Sequence, residues 1–167
     1  RYDGSSKFGE NNKYGFFPGI SIGYRLSEES FMKSVDFLSD LKLKGGFGVT
    51  GNDGIPNFSS MALYTSANYA GTAGLMPVQI PNKDLKWETT YQTDVGLNAG
   101  FLKDRITIEL SYYKKQTEGI LLSRPVAPSS GFTSYTDNIG SMVNQGIEFT
   151  AEAEIIPGIW DMSFNIA

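Results

Sequence analysis

The stretch 87–101 constrains the fold of this chain more than any other. Trp87, Thr89, Tyr91, Thr93, Val95, Leu97, Ala99 and Phe101 alternate with Glu88, Thr90, Gln92, Asp94, Gly96, Asn98 and Gly100. Successive side chains of a strand point to opposite faces, so one face is uncharged and largely apolar while the other is polar. Aromatics close both ends of the apolar face. A strand of this length and pattern suits a membrane-crossing barrel.

The pattern recurs. Phe16, Pro18, Ile20, Ile22, Tyr24 and Leu26 oppose Phe17, Gly19, Ser21, Gly23 and Arg25; Leu41, Leu43, Gly45, Phe47 and Val49 oppose Lys42, Lys44, Gly46 and Gly48. Ile106, Ile108, Leu110 and Tyr112 oppose Thr107, Glu109 and Ser111, and Ile147, Phe149, Ala151, Ala153 and Ile155 oppose Glu148, Thr150, Glu152 and Glu154. A last strand begins with Trp160, Met162, Phe164 and Ile166 on one face. Charges in mid-strand all fall on the polar face.

A soluble antiparallel sandwich also alternates. Three features favour a membrane barrel. Soluble strands peak at about 5–6 residues, and several here run to roughly twice that. A strand of about 13 residues, rising about 3.3 Å each and tilted by about 40°, spans roughly 33 Å, which exceeds an apolar band of about 25 Å. Trp87, Tyr91, Phe101, Tyr112 and Trp160 lie near strand ends, as an interfacial girdle requires. The third feature is the alternation of short and long connections.

The first strand is expected over 1–9 and the second over 15–27, joined by 10–14. Short connections follow at 28–39, 102–105 and Pro157-Gly158, and long ones at 51–86 and 119–138. Barrels of the outer membrane have short periplasmic turns and longer external loops. This ordering makes 51–86 and 119–138 extracellular loops, the short 10–14 being the exception. The 28–39 connection is expected to be a small periplasmic helix, with Ser27 as cap, Glu28 and Glu29 at its positive end, and Phe31, Val35 and Leu38 on one face. Its expected role is to seal the barrel end.

The fold class is therefore all-β: an antiparallel up-and-down transmembrane β-barrel, with residues 1–167 as part of a single barrel domain. About seven strands make an odd-numbered open sheet, whereas bacterial single-chain barrels are normally even-numbered and closed. With no initiator methionine and both ends inside expected strands, the sequence is expected to be a piece of a larger chain.

Composition narrows the chemistry. There is no cysteine and no histidine, which excludes thiol chemistry, Ser-His-Asp and Cys-His catalysis and the usual zinc sites within these residues. No cofactor, metal or catalytic residue is expected, and the chain is not expected to be an enzyme. Glu148, Glu152 and Glu154 share a strand face at separations that suit paired carboxylates, but a hydrated barrel face accounts for them without catalysis. A net charge of −4 argues against a nucleic-acid partner. Mean hydropathy is −0.22, as expected where only every second strand residue meets lipid.

The wording of the sequence carries a resemblance. Arg1-Tyr2-Asp3-Gly4-Ser5-Ser6-Lys7-Phe8-Gly9, followed by Tyr14-Gly15-Phe16-Phe17-Pro18, resembles a strand of SusC/RagA-type TonB-dependent outer-membrane transporters. Leu26-Ser27-Glu28-Glu29, Leu41-Lys42-Leu43-Lys44, Gly48-Val49-Thr50-Gly51-Asn52 and Pro81-Asn82-Lys83-Asp84-Leu85-Lys86-Trp87-Glu88 continue it. So do Gln92-Thr93-Asp94-Val95-Gly96-Leu97, Ser111-Tyr112-Tyr113, Asn138-Ile139-Gly140 and Asn144-Gln145-Gly146-Ile147-Glu148. Each block is modest alone; their order and spacing are specific.

The resemblance implies a portion of a larger barrel of about 22 strands with a plug domain inside. It implies import of oligosaccharides, or in some members peptides, across the outer membrane of Bacteroidetes-type bacteria. A SusD-like surface lipoprotein and the TonB complex are the implied partners, besides outer-membrane lipid and the solute. The plug and the TonB box do not lie in these residues, and 55–80 matches no assignable pattern.

Arg25, Lys42, Lys44, Glu88, Asp94, Glu109, Glu148, Glu152 and Glu154 would line a hydrated lumen and contact the plug. For recognition, the external loops offer Tyr64, Asn68 and Tyr69, and Tyr135, Asp137 and Asn138. Aromatic faces with amides and carboxylates suit sugars; the alternative is that these tyrosines form the upper girdle or touch a capping lipoprotein. Two other functions remain open at this point: a soluble all-β carbohydrate-binding or adhesion module, and a passive porin.

Overall fold

The computed structural model describes residues 1–156 and 162–166, all but a few short turns of it strand and loop. Its strands are β1 Tyr2–Gly4, β2 Tyr14–Phe16, β3 Gly19–Arg25, β4 Leu38–Asn52, β5 Leu63–Tyr69 and β6 Thr72–Gln79. They continue as β7 Glu88–Phe101, β8 Ile106–Glu118, β9 Leu121–Pro125, β10 Ser134–Asn138, β11 Ser141–Ile156 and β12 Met162–Ile166. A six-stranded sheet runs β12-β11-β8-β7-β4-β3, and β1-β2, β5-β6 and β9-β10 form two-stranded sheets. Neighbours in the large sheet are consecutive along the chain once the hairpins are set aside, as an up-and-down meander requires.

The chain divides into two compact units. The first comprises Arg1–Pro18, Val49–Thr90 and Gln116–Met142; the second comprises Gly19–Gly48, Tyr91–Lys115 and the described residues from Val143 onward.

In the second unit the period-2 reading holds. Ile20 faces Phe47, Ile22 faces Gly45 and Tyr24 faces Leu43 across the β3–β4 ladder. Directly opposed residues share a face, so these form an apolar face whose members stay exposed: Ile20 and Ile22 at 74%, Val95 at 55% and Ile147 at 73%. The intervening pairs, Gly23 with Lys44 and Arg25 with Lys42, form the polar face. Arg25 and Lys42 are like charges set opposite, and Asp40 relieves them: its Oδ1 lies 3.1 Å from Arg25 Nε and accepts from Ser27 Oγ at 3.0 Å. Lys44 pairs with Glu109, and Asp94 packs over Gly46, where a Cβ would meet its carboxylate at 2.6 Å.

The first unit has its own small core. Phe8, Ile55 and Leu85 are buried, with Trp87 and Leu121 packed against them. The Trp87 ring lies 4.9 Å from Phe8 and 5.2 Å from Phe17, and its Nε1 donates to Lys13 O at 3.2 Å. Trp87 is thus a core residue, not part of an aromatic girdle. Trp160 lies outside the described residues, as does the Pro157-Gly158 turn.

Three expectations change. The first strand is cut to Tyr2–Gly4, because the chain then turns to bring Ser5 and Lys7 onto Asp53: Ser5 Oγ donates to Oδ2 at 3.0 Å and Lys7 Nζ to the backbone oxygen at 3.0 Å. The second divides at Phe17-Pro18 into β2 and β3, since proline has no N–H to give a ladder. The 28–39 connection is not a helix. A 3₁₀ turn covers Leu26–Glu28, and successive i→i−3 bonds link Met32 to Glu29, Val35 to Met32 and Leu38 to Val35. Ser27 caps nothing, its hydroxyl being engaged by Asp40.

The two long connections carry hairpins. In β5–β6 the turn residues Ala70 and Gly71 have φ of 49° and 82°, as a two-residue hairpin turn demands. The β9–β10 hairpin closes through Pro128–Ser130 and Gly131, whose φ is 81°.

Candidate functional site

The side chains singled out for recognition fall on these two hairpins, both in the first unit. On β9–β10, Tyr135 lies opposite Arg124 and Asp137 opposite Leu122. Arg124, Tyr135 and Asp137 therefore share a face, and they meet. Arg124 Nη1 donates to Asp137 Oδ2 at 3.1 Å and to Tyr135 Oη at 3.5 Å, and Tyr135 Oη donates to the same Oδ2 at 3.1 Å. The other carboxylate oxygen accepts from Asn82 Nδ2 at 3.1 Å and from Asn138 N at 3.0 Å.

Burial alone would raise the Asp137 pKa, but hydrogen bonds from Arg124, Tyr135, Asn82 and the Asn138 amide outweigh it and hold the carboxyl below its ordinary value. The bond to Asp137 in turn raises Arg124. Asp137 is thus a strut between β9, β10 and the segment preceding β7. The Tyr135 hydroxyl lies beside the exposed Arg124 guanidinium.

Tyr64 and Asn68 stand on the other hairpin, opposite Pro77 and Ala73. Tyr64 is 61% exposed, and Leu75 and Met76 on the paired strand are exposed as well. The side chain of Tyr69 lies outside the described part of the structure. Gln79 fastens the hairpin base, its Nε2 donating at 2.8 Å to both Phe58 O and Met61 O. The predicted recognition residues with described side chains therefore form two groups: Tyr135, Asp137 and Asn138, engaged with one another, and Tyr64 with Asn68, open on β5.

Sequence reasoning missed Arg124, whose role comes only from its cross-strand partner, and Asn82, which it read only as part of a recognisable block. Asn82 Nδ2 also donates to Thr136 O at 3.0 Å and its Oδ1 accepts from Asp84 N at 3.1 Å. The recognisable blocks in fact converge on one another. Gly9 N donates to Leu85 O at 2.9 Å, Ser60 Oγ to Phe8 O at 3.1 Å, and Glu88 accepts from Asn52 Nδ2 at 3.1 Å and Leu121 N at 3.0 Å. They build the support of the hairpins.

In the second unit the polar face is concave. Arg25, Asp40, Asn98, Asp104, Glu109 and Glu152 line a hollow of about 460 Å³. Asn98 Oδ1 is buried there without a hydrogen-bond partner among the described residues. No group of acidic residues among the described residues has the spacing of a metal site.

Comparison with known proteins agrees with this architecture. The chain matches the family described as "TonB dependent receptor-like, beta-barrel" across residues 1–167. It is 40% identical over 171 residues to TonB-dependent receptor P39 of Formosa agariphila, covering 100% of this chain and 16% of that protein. It is 38% identical over 178 residues to TonB-dependent receptor SusC of Bacteroides thetaiotaomicron, covering 99% and 18%. The solved RagAB peptide transporter superposes with a TM-score of 0.86 at 33% identity, over 98% of this chain and 19% of that one. The chain thus spans less than a fifth of the length of these relatives. It belongs to the TonB-dependent receptor-like β-barrel family.

Proposed function

We propose that the complete protein imports oligosaccharides or peptides across the bacterial outer membrane, driven by the TonB complex, and that these residues form part of its barrel wall. The observation that carries the reading is the two-faced sheet: an exposed apolar face on Ile20, Ile22, Val95 and Ile147, backed by a polar face of Arg25, Lys44, Asp94 and Glu109. In water that apolar face would be a large uncovered patch; in a bilayer it is the ordinary outside of a barrel. The likeness to SusC and to the RagAB peptide transporter supports the class of cargo.

In this reading 51–86 and 119–138 face outward, so the β5–β6 and β9–β10 hairpins meet solute or a SusD-like surface lipoprotein. Tyr64 and Asn68 supply open contacts, and Tyr69 is proposed as a further contact from its place in the sequence. Tyr135 and Asp137 act together with Arg124. The 26–37 connection and the 102–105 turn face the periplasm.

The test is uptake of labelled oligosaccharide and peptide pools by cells carrying the complete protein, with and without a functional TonB complex. TonB-dependent accumulation of either pool supports the proposal. Energy-independent passage would make the protein a porin, and no passage with retained binding would make it a surface-binding protein.

A further inference from the structure

We propose that a hollow between the segment following β1 and the base of the β5–β6 hairpin takes the carboxyl-terminal residue of a peptide. The apolar side chain enters the hollow and the carboxylate meets Lys13 and Lys83. This subsite rests on the importer reading, in which 51–86 faces outward. The hollow has a volume of about 400 Å³, and Phe8, Met61, Ala62 and Pro81 give it apolar walls. Glu10, Lys13 and Lys83 also line it. A preformed concavity of about 300–1,000 Å³, mostly apolar and with a few charged groups, is the usual form of a ligand site.

The walls are held in place by the protein itself. Ser60, 7% exposed, donates its hydroxyl to Phe8 O at 3.1 Å, and Asn82 N donates to Ser60 O at 3.2 Å. Lys13 O accepts from Ser5 N at 2.8 Å and from Trp87 Nε1 at 3.2 Å. The Lys83 carbonyl packs so closely on Gly9 that a Cβ there would overlap it. Both lysines therefore stand on fixed backbone, which lowers the ordering cost of binding a ligand.

Charge selects the occupant. Arg1 and Lys7 are paired with Asp3 and Asp53, whereas Lys13 and Lys83 have no acidic partner among the described residues. Lys13 is moreover half-buried. Glu10 supplies the one carboxylate among the described residues that line the hollow. Two ammonium groups against it leave a positive excess, which suits an anionic group. A neutral oligosaccharide fits less well, because sugars want hydrogen-bonding groups around an aromatic face. Phe8 offers no such face, being 1% exposed with its ring 4.9 Å from that of Trp87. No tyrosine, asparagine or glutamine among the described residues lines the hollow.

The test is binding of a peptide by the complete protein in detergent, read by fluorescence anisotropy. The probe is an N-terminally labelled, glycine-rich pentapeptide ending in leucine, offered as the free acid and as the carboxyl-terminal amide. The acid is expected to bind about tenfold tighter than the amide, as a charge-assisted contact allows. Joint Lys13→Gln and Lys83→Gln substitution is expected to remove that preference and keep amide binding, while Lys33→Gln on the β3–β4 connection keeps the preference. Ala62→Phe, at an exposed position on the wall, is expected to weaken binding of both forms several-fold. Equal binding of acid and amide by the parent protein, as when another segment or a partner protein fills the hollow, overturns the subsite. A preference that survives the double substitution overturns it too. TonB-dependent uptake of the acid is followed in parallel. Uptake without the preference overturns the subsite alone, and the preference without uptake overturns the importer reading while the subsite stands.

Discussion

Asn138 and Lys86 are joined by two hydrogen bonds: the Asn138 side-chain oxygen accepts from Lys86 N at 2.9 Å, and its amide donates to Lys86 O at 2.8 Å. The same Nδ2 donates to Gly119 O at 2.8 Å. One side chain thus ties the segment entering β7 to both ends of the β9–β10 excursion. Asn138→Ala removes all three bonds. At roughly 1 kcal/mol each, with a discount for partial exposure, the loss is about 2 kcal/mol. Faster amide exchange and protease nicking across 121–138, with β3–β4 unchanged, are the expected results.

At Gly9 the chain passes close against the segment 83–85. The Gly9 N–H bonds Leu85 O, and a Cβ there would overlap the Lys83 carbonyl, whereas a Cβ at Gly48 meets nothing within 4 Å. Gly9→Ala should cost about 1–3 kcal/mol as an overpacking change, because backbone cannot swing aside. Gly48→Ala should be close to neutral. Urea unfolding of the two variants in detergent compares them directly.

Asp137 makes the β9–β10 hairpin acid-sensitive. Its folded pKa lies below the unfolded value, so its contribution is fully present above about 3.9, the ordinary aspartate value, and is lost as pH falls through the lowered folded value. Protease resistance of the hairpin should be flat from pH 8 to 5 and fall below about 4. Asp137→Asn should remove that fall and lower resistance at neutral pH.

Ala70 adopts φ of 49° beside Gly71 at 82°. A left-handed conformation costs about 1 kcal/mol for a residue with a Cβ. Ala70→Gly should therefore stabilise the β5–β6 turn, with Ala70→Asn intermediate in effect, because asparagine tolerates that region best among side-chain-bearing residues. Slower amide exchange at Ser66 and Leu75, which face each other, reports it.

Much of the fold was legible because a period of two leaves little freedom. Once Ile20, Ile22 and Tyr24 share a face, Arg25 must lie on the other, and the β3–β4 register bears this out. The connection after β3 was misread because Phe31, Val35 and Leu38 repeat near helical spacing over too short a span. A helix of about 10 residues carries the chain about 15 Å, whereas neighbouring strands lie about 4.8 Å apart, so successive turns close the gap instead. Trp87 was misplaced for a different reason. Its position at a strand end is the same in a girdle and in a core, and only the approach of Phe8 and Phe17 from distant sequence decides between them.

The candidate site was legible in part. Tyr135 and Asp137 alternate along β10, which places them on one face, but Arg124 enters through the β9–β10 register. Asn82 enters through a loop. Neither pairing leaves a local pattern in the sequence.

Gel mobility of the complete protein, extracted from isolated outer membranes and run heated and unheated, tests the central claim most directly. The account predicts a protein several times the length of this chain that stays with the outer membrane and shifts in mobility on heating, as a folded barrel unfolds. A soluble protein whose mobility heating does not change would contradict it.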